Sequence, residues 1–431
     1  MQTYIYPSIS EWSLLFQRPI QPREDLQNTV LQIFEDLKNL QDQALFDYTE
    51  KFDGVKLSNI LVSNQEKERA QQIVSEDLKQ AMKLAFDNIQ QFHLSQKEQK
   101  KIVETMPGVN CWRESRPIEK VGIYIPGGSA PLFSSVLMLG IPATIAGCPY
   151  ISLCSPPDIN GKINPAILVA AQLVGIRNIY KVGGIQAIAA LTFGTPTIKA
   201  VDKILGPGNQ YVTAAKQTAQ SLGIAIDMPA GPSELLIIAD ESSNPEFVAA
   251  DLLSQAEHGT DSQVILLTTS RDLLEQVLNQ LSHQLSFLSR KAIASQALAH
   301  SRAIVLECLE DCIAFSNLYA PEHLILAVKN ANAYVDKITA AGSVFLGNFS
   351  CESAGDYASG TNHTLPTNGY SKSYSGVSLD SFIKKISFQE ITAQGLQNIG
   401  PSIEKMAEAE QLYAHKNAVS VRLKSIISNK I

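Results

Sequence analysis

Gln255 and His258 stand three apart in LLSQAEHGTD (252–261), a spacing that lets an amide oxygen and an imidazole nitrogen point at one spot from a helix's last turn. The helix is read from its punctuation: Asn244-Pro245 supplies an N-cap and a first-turn proline, and Gly259 a stop. Val248, Ala249, Leu252, Leu253 and Ala256 form its apolar stripe, while Asp251, Ser254, Gln255 and His258 form a separate polar one. A solvated face would more commonly carry Lys and Glu. A Q-x-x-H pair alone more often ends a surface helix than binds metal, so other donors have to come from elsewhere.

Three further places offer them. Glu322-His323 precedes an apolar strand in YAPEHL, as a base and its partner would, although an isolated E-H pair is more often incidental. Asp356 and His363 lie in CESAGDYASGTNHTLPTNGYS (351–371), a stretch with little hydrophobic periodicity whose length points to function. His415 falls on a C-terminal helix, five residues after Glu410. Gln255, His258, Asp356 and His415 together are nitrogen and oxygen donors of the kind zinc accepts, and the lack of a cysteine leans towards a substrate-binding metal. No spacing rule proves that they converge. His93, His283 and His300 lie in polar helical stretches and read as exposed filler.

The elements that must position these groups alternate. VGIYIP, YISLC, NIYKV, KIL and ELLIIAD are short apolar strands separated by helices at 165–175, 185–193 and 209–222, which predicts parallel βαβ units. A second alternation runs through VILLTT, AIVLE, LILAV and SVFLG and is expected to form another αβα layer with the helical segment at 23–100. The expected fold is α/β, with two Rossmann-like doubly wound domains. Residues 1–25 form an arm, 26–124 with 235–378 a discontinuous first domain, 125–234 a second, and 379–431 a small helical domain with one long helix at 401–426. Ligands in such sheets bind at the carboxyl ends of strands. There the loops Pro126–Pro131, Gly183-Gly184, Gly206–Asn209 and Pro229–Ser233 suit a nucleotide or an anionic ligand, though none is G-x-G-x-x-G.

Bulk properties narrow the classes. A chain of 431 residues with net charge −7 and no basic stripe is not expected to bind nucleic acid or an anionic membrane. MQTYIYPSISEW lacks the basic-then-apolar pattern of a signal peptide, and the apolar run at 134–154 is interrupted by Gly140, Pro142, Gly147 and Pro149. The six cysteines form no C-x-x-C pair and read as buried thiols of a cytoplasmic protein.

The same residues lie in motifs similar to those of the histidinol dehydrogenase family. IDMPAGPSELLIIADESSNPEFVAADLLSQAEHGTDSQV (226–264) resembles its signature. VGIYIPGGSAPLFSSVLM, VGGIQAIAAL, KILGPGN, YAPEHL, SAGDYASGTNH and AHKNAV follow the family's order over about 25–425. The resemblance implies oxidation of L-histidinol through an enzyme-held aldehyde to L-histidine, with two NAD+ and one zinc per active site, in a homodimer. It implies zinc ligands Gln255, His258, Asp356 and, from the partner subunit, His415. It makes Glu322 and His323 the acid/base pair, and Ser233, Gln255, His258, His323, Asp356, His363, Glu410 and His415 substrate contacts. It puts Tyr124, Gln186 and Asn209 at the NAD+ positions. A zinc-dependent hydrolase would need the same donors but no NAD+, and a non-catalytic binding protein would have lost Glu322, His323 or a ligand.

Overall fold

The computed structural model describes residues 1–19, 24–127, 131–229 and 231–428; the side chains of Glu24 and Asp25 also lie outside the description. Gly128, Ser129 and Ala130 of the first glycine-rich loop, Ala230 of the last, and part of the expected amino-terminal arm are therefore not among the described residues.

Strands are numbered along the chain. β1 (Gln2–Ile5) is followed, after a helical stretch, by β2 (Val103–Met106), β3 (Val109–Pro117) and β4 (Lys120–Tyr124). Next come β5 (Tyr150–Ser155), β6 (Asn178–Lys181), β7 (Lys203–Leu205), β8 (Ala225–Ile226) and β9 (Glu234–Ala239). Then follow β10 (Gln263–Thr268), β11 (Arg302–Val305), β12 (His323–Ala327), β13 (Ser343–Leu346) and β14 (Ile383–Ile391). Two compact units result: Met1–Gln96 with Ile118–Phe382, and Lys97–Pro117 with Ile383–Ile431.

The first unit contains two parallel sheets, in the orders β6-β5-β4-β7-β8 and β1-β11-β10-β9-β12-β13. The inner strands β9, β10 and β12 are buried at every position because helices cover both faces. In β9, Leu235 and Ile237 join the core beneath the helices Pro245–Ala256 and Arg271–Phe287, while Leu236 and Ile238 join the one beneath Leu309–Tyr319. In the other sheet Ile123 and Leu153 face one core, and Tyr124 and Cys154 the opposite one. The doubly wound α/β expectation holds for both sheets.

Several finer expectations do not. β4 is the central strand of the five-stranded sheet, so a boundary at residue 124 cuts it from its own neighbours. The helical segment near the amino terminus covers that same sheet rather than the six-stranded one: Val30, Ile33, Phe34 and Leu37 pack with Ile185–Leu191, and Met82, Ala85 and Ile89 with Val136–Leu139. The amino-terminal residues are not merely extended. β1 pairs in parallel with β11, and Trp12 and Leu15 of the following helix are buried, Trp12 against Phe315 with ring centroids 5.3 Å apart.

In the second unit β2, β3 and β14 form an antiparallel sheet, so the carboxyl-terminal region is not purely helical. The long helix expected at 401–426 is two, Ala393–Ala409 and Tyr413–Ser428, separated at Gln411, whose φ of 60° is a left-handed value no helix continues through. Among the described residues, no helix is long and apolar enough to cross a membrane.

Candidate active site

The helix Pro245–Ala256 ends at the amino edge of the six-stranded sheet, and its last turn delivers Gln255 and His258 there. β9 and β12 begin at the same edge, with Glu234 and His323 their first residues, directly after Ser233 and Glu322. The group thus gathers at the amino ends of these strands, contrary to the carboxyl-end expectation. A helix carboxyl terminus carries partial negative charge, which suits a cation.

His258, Glu352 and Asp356 each place a potential ligand atom within 4.8 Å of the others. Glu352 and Asp356 are four apart on one face of the short helix Glu352–Tyr357, so part of the stretch expected to be loop is helical. Gln255 is fully buried between Glu322 and Glu352. With its Nε2 turned to Glu322 Oε2 at 3.5 Å, its oxygen faces the Glu352 carboxyl; in the opposite amide orientation the nitrogen donates to Glu352 and the oxygen accepts from the Glu234 N–H at 3.0 Å. An amide oxygen, two carboxylates and an imidazole facing one another form a donor set that a divalent cation reconciles, so the residues fit zinc. Burial pushes the His258 imidazole down, which favours its neutral, ligating form, although the residue keeps an exposed outer edge.

Beside this cluster, Glu322 and His323 are both buried. Glu322 Oε2 accepts from the Glu234 N–H at 2.9 Å, and burial pushes its carboxyl up to about 7. His323 Nδ1 lies 3.2 Å from the Glu234 carbonyl, and its Nε2 3.6 Å from Asp356 Oδ1. Burial would lower the His323 pKa, but Glu322, Glu352 and Asp356 outweigh it and carry the imidazole up to about 10. Burial also pushes Glu234 up, against the opposing pull of Arg18.

His363 Nε2 is 3.4 Å from Ser135 Oγ, and burial lowers its pKa. The neighbouring Asn362 donates to the Met138 carbonyl at 2.6 Å and lies 3.4 Å from His93 Nε2. His93 is thus a fully buried residue, not exposed filler; the polar residues around it in sequence face outward while its ring turns in. Glu410 and His415 belong to the second unit, where both are exposed. Sequence reasoning missed Glu352, although its four-residue spacing from Asp356 was an available signal.

Of the nucleotide-type loops, Gly183-Gly184 and Gly206–Asn209 follow β6 and β7 at the carboxyl edge of the five-stranded sheet. The chain runs outward from β4 to β5 and β6, then returns to β7 on the other flank, which makes the β4/β7 gap a topological switch point. Tyr124 ends β4, and its buried hydroxyl accepts from the Gly184 N–H at 3.1 Å. Gln186 is 1% exposed and its Oε1 has no hydrogen-bond partner, the condition of an acceptor kept for a ligand. Asn209 caps the Gln210–Ser221 helix, accepting from Tyr211 and Val212 N–H at 3.1 and 3.2 Å. The Gly206 peptide is gripped from both sides: Lys216 Nζ donates to its carbonyl at 2.9 Å, and its N–H donates to Asp227 Oδ2 at 2.8 Å. Lys216 and Asp227 also pair with each other in a buried ion pair.

Comparison with known proteins gives one consistent result. The family model for histidinol dehydrogenase matches residues 16–423. Histidinol dehydrogenase from Bacteroides thetaiotaomicron is 54% identical over 99% of this chain and 100% of its own length. That from Aliivibrio fischeri is 51% identical over 99% of this chain and 97% of its own. The crystal structure of histidinol dehydrogenase from Elizabethkingia anophelis is 70% identical and superposes with a TM-score of 0.98, covering 99% of this chain and 98% of that one. None of these relatives is a hydrolase.

Proposed function

Since the chain belongs to the histidinol dehydrogenase family, we propose that it oxidises L-histidinol through L-histidinaldehyde to L-histidine, the last reaction of histidine biosynthesis, using two NAD+. The observation that carries the reading is the buried Glu322–His323 pair beside the His258–Glu352–Asp356 cluster, with His323 Nε2 3.6 Å from Asp356.

Gln255, His258 and Asp356 of this chain would hold the zinc, with His415 of a second copy completing the set. Zinc held there would supply a fixed positive centre for orienting the imidazole and amine of the substrate, and NAD+ held by Tyr124, Gln186 and Asn209 would supply the hydride acceptor. His323 takes the alcohol proton at Nε2, because Nδ1 faces the Glu234 carbonyl and is best satisfied as the protonated nitrogen. It stays near 10 only while the charges of Glu322, Glu352 and Asp356 are uncompensated. Offsetting part of that charge lets His323 release its proton nearer neutrality. Glu322 then draws a proton from the water that adds to the aldehyde, and His323 again acts as base as the second hydride leaves. Ser233, His363 and, from the partner subunit, Glu410 contact the substrate.

All six cysteines are free thiols, which agrees with a reducing cytoplasm. The test is NADH formation by the zinc-loaded protein on addition of L-histidinol, with two NADH per histidine formed. Absence of NADH from folded, zinc-loaded protein overturns the reading.

A further inference from the structure

Glu234 touches both members of the buried pair through its backbone. Its N–H donates to Glu322 Oε2 at 2.9 Å, and its carbonyl lies 3.2 Å from His323 Nδ1. Its peptide groups therefore set the direction of the Glu322 carboxylate and the tautomer of the His323 ring. Glu234 is the first residue of β9, in register with Gln263 of β10, and a further hold fixes it.

The side chain of Glu234 provides the hold. Its carboxylate has 2% exposure and forms a two-point ion pair with Arg18, Nε to Oε1 at 2.5 Å and Nη2 to Oε2 at 3.0 Å. Oε1 also accepts from the Asn368 N–H at 2.8 Å, at the far end of the loop that carries His363. Arg18 is itself fixed, its guanidinium 3.9 Å from the centre of the buried Tyr319 ring and its Nη2 donating to the Tyr319 carbonyl at 2.8 Å. The preceding residue, Gln17, gives its carbonyl to Gln263 Nε2 at 3.1 Å and to Arg302 Nη1 at 2.9 Å. The amino-terminal segment is thus clamped across the amino edge of the sheet where the pair sits.

We propose that Arg18 is a positioning residue for the oxidation, acting through Glu234 to hold Glu322 and His323 in their working geometry. Planarity matters here: a lysine offers one point charge and cannot make the two parallel contacts or lie flat on Tyr319. The proposal rests on the roles given above to Glu322 and His323.

The test compares Arg18→Lys and Arg18→Ala with the wild type as zinc-loaded full-length proteins. Both variants should lose roughly 10- to 100-fold in kcat, while KM for L-histidinol and zinc content stay within about twofold. Guanidinium chloride at low millimolar concentration should restore part of the Arg18→Ala loss and none of the Arg18→Lys loss. Unchanged kcat in the folded variants, or a loss that follows zinc release and is not rescued, overturns the proposal. The protein has seven histidines, so histidine-labelled protein gives a sparse ring-nitrogen spectrum in which His323→Gln identifies the His323 signal. That signal should move in Arg18→Ala and return with guanidinium. It judges the clamp even if wild-type protein produces no NADH, which would refute the activity instead.

Discussion

A Cβ added to Gly206 would stand 2.0 Å from the carbonyl oxygen of Tyr124. The two residues close the switch point of the five-stranded sheet, and Gly206 also has a φ of 138°, which L side chains rarely adopt. Gly206→Ala must push the β4 and β7 ends apart, displacing Tyr124 and Asn209. The expected result is a rise of at least about tenfold in KM for NAD+, with zinc content unchanged by metal analysis. Normal NAD+ kinetics would remove this gap from the cofactor site.

Glu322, pushed up to about 7 by burial, has to be ionised to draw a proton from water. Aldehyde oxidation should therefore rise with pH through about 7 and level off above it. Glu322→Gln should abolish that dependence and slow the aldehyde step by about 10²–10⁴, while NADH from the alcohol step persists. Rates measured with histidinaldehyde as the starting substrate separate the two steps.

The proposed sharing of active sites between two copies makes a definite prediction for mixtures. His323→Ala and His415→Ala proteins should each be inactive alone. Mixed under conditions that exchange subunits, they should regain activity, since one site of each heterodimer then has an intact His323 and an intact His415 from the other copy. Mixtures that stay inactive despite exchange place His415 in its own chain's site or outside any.

Glu352 brings a further carboxyl to the cluster from a wholly buried position that pushes its pKa well up, with Ser254 Oγ 3.4 Å from its Oε2. Glu352→Gln keeps the shape and removes the carboxyl that a bound cation would ionise, and should weaken zinc binding by about 10- to 100-fold in a chelator competition. Equal affinity would make the carboxyl irrelevant to the metal.

Asp251, on the same helix as Gln255, has its carboxyl pushed up to about 6 by burial. Its unfolded value is about 3.9, so the folded protein binds this proton more tightly. The contribution to stability is fully present below about pH 4 and lost as pH rises through about 6. Asp251→Asn removes that loss, so its Tm relative to wild type should climb between pH 4 and 7. A difference that stays flat across this range would show that the carboxyl is not held protonated.

What could be read from the sequence follows from how each element is buried. ELLIIAD and VILLTT were legible because strands covered on both faces are apolar at every position. β1, β2, β3 and β14 were not, because they are short or half exposed, and β1, β3 and β14 pair with distant strands; Val109–Pro117 is in register along its whole length with Ile383–Ile391. Gln255 and His258 were visible as a pair. Their meeting with Glu352 and Asp356 depends on tertiary packing that no spacing encodes. His93 misled for the converse reason, being one inward residue in a polar run. The clamp at Arg18 was out of reach, since nothing in QRP announces a carboxylate beside Ser233.

β1 pairs with Arg302–Val305, which the ribosome delivers long after Gln2–Ile5 has emerged. At about 5–20 residues per second the wait is on the order of tens of seconds. Throughout it the newborn chain carries β1 unmatched, with Arg18 just behind. Synthesis order thus delays the seating of these early residues, and a nascent chain halted before β11 has no place to dock them.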